Sequence, residues 1–199
     1  AGHRLDEMIV AAATQGFEPV DLGLIAGAHL TNTSKTVTSY NAVGRVMGSD
    51  PEYSDQYIIF TAHWDHFGVG DPIAGDNIYN GAFDNATGTA GLIEIAEAWK
   101  NTTPAPRRSA LFIATTAEES GLLGSAFYVE NPIVPLEKTL AVINMDGANV
   151  WGETTDMTIV GLGNSTLDDT LTTALADQGR TVTADPEPEK GFFYRSDHF

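Results

Sequence analysis

Two histidines and an aspartate crowd into the tetrapeptide HWDH as His63, Asp65 and His66, Glu118 and Glu119 are adjacent, and Asp146 closes the run TLAVINMD. Asp84 and the pair Asp197-His198 complete the residues able to do acid, base or metal chemistry at recurring structural positions. Taken singly, each has an ordinary reading. His63 could be a hydrogen-bonded histidine, Asp84 the N-cap of a following helix, and Glu118-Glu119 solvated acids favoured by a helix dipole. Asp146 before Gly147 reads as a turn, and Ser196-Asp197-His198 as a polar terminus. Taken together they repel one another, so gathered carboxylates must be protonated or matched by cations. Among these motifs only Arg195 is basic, which makes a bound divalent metal the economical solution. The chain has no cysteine, so imidazole and carboxylate are the available ligands, a set that suits zinc. Two metals about 3.5 to 4 Å apart would need one carboxylate to bridge them. A dinuclear hydrolase is the leading reading.

The elements that must position these groups follow from hydrophobic patterning. QYIIFTAH (56 to 63), SALFIATTA (109 to 117) and TLAVINMD (139 to 146) are compact apolar runs of the kind buried on both faces of a sheet. The first and third end on His63 and Asp146, and Glu118 and Glu119 directly follow the second. In open α/β sheets ligands bind beyond the strand carboxyl ends, so these side chains are expected in one crevice. Leu92, Ile95, Ala96 and Trp99 share one stripe of a helix over 86 to 100, and further helices are expected over 4 to 15, 121 to 129 and 167 to 179. Strands over 20 to 33 and 40 to 47 are expected to pair antiparallel, MTIVG (157 to 161) to be a fourth buried strand, TVTAD another strand, and 68 to 81 a loop. Alternating strands and helices predict α/β layers around a mixed, largely parallel sheet.

The order TAHWDHFG, GAFDNATG, AEESGLLGS, NMDG and RSDHF resembles the co-catalytic zinc aminopeptidases of metallopeptidase family twenty-eight, from about Asn41 to Phe199. That family also contains glutamate carboxypeptidases and the transferrin receptors, which lack catalysis. The resemblance implies a three-layer zinc-exopeptidase fold and two zinc ions that activate a shared water. It places His63 and Asp146 on one zinc, Glu119 and His198 on the other, and Asp84 across both. Glu118 would be the general base, Asp65 would accept a hydrogen bond from the second nitrogen of His63, and the Asp84-Asn85 peptide bond would be cis. His66 receives no role. Tyr194 is an oxyanion-donor candidate that could equally belong to the aromatic cluster with Phe192 and Phe193, and Trp64 is expected in the core. The implied substrate is a peptide with a free N-terminus. Alternatives are a single-zinc, glutaminyl cyclase-like transferase and a receptor-like binding domain.

Composition narrows the classes. The 199 residues carry a net charge of −17, with only 10 Lys and Arg, which disfavours nucleic acid and anionic membrane surfaces as partners. An apolar fraction of 42% suits one globular domain. No apolar run is long enough to cross a membrane. No signal peptide is apparent, and a secreted, periplasmic or cell-envelope location is implied only by the family. Because the chain stops one residue after His198, residues 1 to 199 are expected to be an incomplete catalytic domain lacking a C-terminal strand and helix, with 1 to 40 following an inserted protease-associated domain. A terminal His198 is expected to fray and to weaken the zinc it shares with Glu119.

Overall fold

The structure, a computed structural model, describes Gly2 and residues 4–199. It divides into two compact units at Val37/Thr38. In the first unit, α1 (Leu5–Ala12) is the only regular element among the described residues, and it buries none of its side chains. A strand over 20 to 33 does not form. Gly23 and Gly27 interrupt that stretch and weaken a strand interior, and Leu24, Ile25 and Leu30 are exposed.

The second unit is built around a four-stranded sheet in the order β1-β5-β2-β6, comprising β1 (Ala42–Val46), β2 (Tyr57–His63), β5 (Ser109–Thr115) and β6 (Thr139–Asn144). β2 lies parallel to both β5 and β6, and β1 runs antiparallel to β5. The expected sheet is therefore present, but the partner of β1 is β5 rather than a neighbouring hairpin strand. Pairing with β5 gives β1 a fully formed ladder against a strand that is almost entirely buried.

Alternation along β2 and β5 sorts side chains onto opposite faces. Phe60, Ala62, Ala110 and Phe112 meet Leu92 of α2 (Ala86–Asn101), with Ile95, Ala96 and Trp99 packed against them. The opposite set, Tyr57, Ile59, Leu111 and Ile113, meets Tyr128 of α3 (Leu123–Glu130) and Val134. Helices thus cover both sheet faces, giving three α/β/α layers. Leu111 and Ile113 are almost fully buried, and each contributes on the order of 1.5–3 kcal/mol of apolar burial. β6 is an edge strand, with Leu140, Val142 and Ile143 exposed.

Two smaller pairings differ from expectation. Residues 68 to 81 contain an antiparallel hairpin of β3 (Gly68–Ile73) and β4 (Asp76–Tyr79). β7 (Asp156–Ile159) stands outside the central sheet and is only partly buried; it pairs in parallel with β8 (Thr181–Ala184) after α4 (Leu167–Ala176). Four residues are too few to distinguish a core strand from a peripheral one by composition.

Candidate metal centre

The parallel strands β2, β5 and β6 end along the same sheet edge, and the chemistry-bearing residues gather there. His63, the last residue of β2, is 1% exposed. Its main-chain oxygen accepts from Thr89 Oγ1 of α2 at 3.0 Å, and its Nδ1 donates to the Asp65 main-chain carbonyl at 2.9 Å. The second contact orients the ring and leaves Nε2 facing the site. Nε2 lies 3.0 Å from Asp84 Oδ1 and 3.3 Å from Asp146 Oδ1. Burial by itself would lower the His63 pKa, but the hydrogen bonds to Asp146 and Asp65 and the charges of Asp146 and Glu118 outweigh it and raise it to about 9.

Asp84 owes its position to its neighbour. The Asp84-Asn85 peptide bond is cis, as the resemblance implies. Asn85, not Asp84, is the N-cap of α2: its Oδ1 accepts from Gly88 N and Gly147 N, each at 3.0 Å, while Nδ2 donates to Met145 O at 2.8 Å. This buried amide clamps the start of α2 to the end of β6 and leaves the Asp84 carboxylate free for the site. The clamp needs glycine at position 88, where a Cβ would lie 2.4 Å from Asn85 Oδ1 and 2.6 Å from Met145 O.

Asp65 acts differently from the expectation. Its carbonyl, not its carboxylate, meets His63. The carboxylate instead accepts from Thr116 Oγ1 at 2.7 Å and from Ala117 N at 2.7 Å. Ala117 has a φ of 55°, so the chain leaves β5 in a left-handed turn that Asp65 holds from its own loop. That turn presents Glu118 and Glu119 before α3 begins. Glu118 is 7% exposed. Burial raises its carboxyl to about 7, with Asp146, Asp197 and Glu119 adding to the rise and His63 opposing it.

Asp146, just beyond β6, is held in a polar chain. Thr61 Oγ1 donates to Asn144 Oδ1 at 2.7 Å, Asn144 Nδ2 donates to Ser196 Oγ at 2.7 Å, and Ser196 Oγ donates to Asp146 Oδ2. Burial would raise the Asp146 carboxyl, yet these hydrogen bonds from His63 and Ser196 and the charges of His63 and His198 hold it below its ordinary value. The final segment is also anchored at Asp197, whose carboxylate accepts from Thr115 Oγ1 and Ser125 Oγ, each at 2.5 Å. The expected fraying at His198 is thus opposed by two buried neighbours, Ser196 and Asp197, and by the Phe193 ring, 5.0 Å from the imidazole centroid. Burial lowers the His198 pKa.

Among the described residues two groups of ligand atoms emerge, His63-Asp84-Asp146 and His66-Asp84-Glu119, each within 4.8 Å, and Asp84 belongs to both. His66 Nδ1, Asp84 Oδ1, Glu119 Oε1 and His198 Nε2 are buried without a hydrogen-bond partner. Orphaned acceptors of this kind, on imidazole and carboxylate, fit a zinc ion as their missing partner. Of the five ligands the resemblance implies, His63, Asp84, Glu119 and Asp146 fall in these groups and His198 lies outside both. His66 is the residue the sequence reading left without a role; its spacing of three from His63 is the pattern that could have drawn notice. Tyr194 packs between Phe193 and Phe199 at 5.2 and 5.1 Å and is 63% exposed. Trp64 is not in the core: it is half exposed, and its indole donates to Tyr40 O at 3.1 Å.

The profile of Peptidase family M28 matches residues 41–199. The chain is 34% identical over 140 residues to the aminopeptidase NAALADL1 of Mus musculus, a match that covers 66% of this chain and 17% of that protein. Its fold is similar to BSAP, a zinc aminopeptidase from Bacillus subtilis, with a TM-score of 0.56 and 25% identity over 76% of this chain and 37% of that one. It is also similar in fold to the glutaminyl cyclase of Porphyromonas gingivalis, with a TM-score of 0.55 and 20% identity over 79% of this chain and 57% of that one. The chain therefore spans less than a fifth of the length of that curated relative. With five ordered motifs, the α/β/α architecture and the profile in agreement over the same residues, the chain belongs to peptidase family M28.

Proposed function

We propose that this chain is the catalytic part of a zinc-dependent exopeptidase, an aminopeptidase that hydrolyses the N-terminal peptide bond and holds two zinc ions about a shared Asp84. The observation that carries this reading is the membership of Asp84 in both ligand groups. His63 and Asp146 would hold one ion, and Glu119 and His198 the other, as the resemblance implies. Bound zinc supplies Lewis acidity to a peptide carbonyl and lowers the pKa of water. Glu118 is the general base, taking the proton from the attacking water and returning it to the leaving amine. The Asp65 carboxylate serves by holding the Ala117 turn that aims Glu118.

The substrate in this reading is a peptide with a free N-terminus. A location outside the cytoplasm belongs to the same reading and rests on the family resemblance; among the described residues no helix is long and apolar enough to cross a membrane. Turnover of aminoacyl anilides by the zinc-loaded chain, its loss to chelator and its return with zinc test the activity. The second reading, a cyclase, is favoured by the fold likeness to glutaminyl cyclase. Cyclisation of an N-terminal glutamine without anilide hydrolysis, with one zinc per chain, would replace the peptidase reading by it.

A further inference from the structure

Resting on the two-zinc reading, we infer that His66 is itself a ligand at the Asp84-Glu119 side of the centre, through Nδ1. His66 Nδ1 lies 2.5 Å from Glu119 Oε1, yet neither atom has a hydrogen-bond partner, so the contact lacks hydrogen-bond alignment although both atoms are buried. Two lone-pair atoms this close without a shared proton repel one another. A cation held by both, and by the equally unpartnered Asp84 Oδ1, removes that conflict.

The ring is built into this position rather than swept through it. Gly81, at a φ of 66°, lets the backbone pass close to His66: a Cβ there would lie 2.8 Å from His66 Cβ and 3.1 Å from Asp84 O. Phe67 meets the imidazole edge-on at 4.9 Å between centroids, and Tyr79 of β4 lies at 6.5 Å. The hairpin thus supplies a wall for a residue that shares a loop with His63. His198 lies outside the group around Glu119, and the charges that act on its imidazole are those of Asp146 and Asp197. The alternative role for His66 is as a hydrogen-bonding support for Glu119 with no bond to metal.

The test uses the full chain, stripped of metal and titrated with zinc alone. Wild type is expected to bind two zinc ions and His66→Ala one, with the affinity of the retained ion changed less than about threefold. Cobalt(II) substituted at the lost site should lose its visible absorption in the same variant. His66→Ala binding two ions at wild-type affinities would overturn the inference and leave the peptidase reading standing. Wild type binding one ion would also overturn it, and wild type binding none would remove the two-zinc reading as well. If His66→Ala does not fold, an anomalous map of zinc-loaded wild type decides. A zinc peak about 2.0–2.1 Å from His66 Nδ1 supports ligation, and a peak beyond about 3 Å overturns it.

Discussion

Thr115 Oγ1, at the end of β5, donates to Asp197 Oδ2 at 2.5 Å across 82 positions of sequence. The strand that delivers Glu118 and Glu119 is thereby tied to the segment that carries His198. Ser125 of α3 donates to the other oxygen of the same carboxylate. Asp197→Ala leaves the buried Thr115 hydroxyl without its acceptor, while Ser125 Oγ retains the Leu122 carbonyl at 3.1 Å, and the expected loss of stability is about 1–3 kcal/mol, read as a lower urea midpoint. Asp197→Asn, which keeps one acceptor oxygen, should fall between the variant and wild type.

Glu118→Gln keeps the shape and burial of the side chain and removes its basicity. Zinc content should stay at the wild-type value while turnover of an aminoacyl anilide falls about 10² to 10⁴-fold, the usual worth of a general base. Unchanged turnover would take Glu118 out of that role.

Asp84→Ala removes the one carboxylate common to both ligand groups. Both zinc ions should be lost together by metal analysis after gel filtration, with turnover lost alongside. Because Asn85, not Asp84, caps α2, the far-ultraviolet circular dichroism should remain close to wild type. Retention of both ions would show that Asp84 does not bridge them.

Tyr128 places a buried hydroxyl without a hydrogen-bond partner against the α3 face of the sheet. Tyr128→Phe should therefore leave stability unchanged or raise it by up to about 1–3 kcal/mol at neutral pH. Burial, with a smaller contribution from Tyr57, also pushes the phenol above its usual value. The folded chain then resists ionisation that the unfolded chain undergoes from about pH 10. The Tyr128 contribution is fully present below that pH and is lost as pH rises through the higher folded value. The advantage of Tyr128→Phe in thermal midpoint should widen above pH 10, and a constant difference would show that the phenol does not titrate with unfolding.

The sequence by itself determined the inner sheet, the helix behind it and the family. β2, β5 and β6 are continuous apolar runs, and α2 carries a stripe at helical spacing, so composition marks these elements without reference to any partner. The burial expected on both faces holds for β2 and β5 but not for β6, which lies at the sheet edge with Leu140, Val142 and Ile143 exposed. The strand ends likewise predicted where His63, Glu118 and Asp146 would meet. Tertiary structure alone decided the partner of β1, the separation of β7 and β8 from the central sheet, and the transfer of the capping role from Asp84 to Asn85. It also turned the Asp65 carboxylate onto Thr116 and Ala117 and brought His66 to Glu119 across 53 positions. A short strand has no preference among edges until an open ladder is offered to it. A polar side chain in a loop goes to whichever donor or acceptor the folded backbone brings within about 3 Å, and that neighbour comes from elsewhere in the chain.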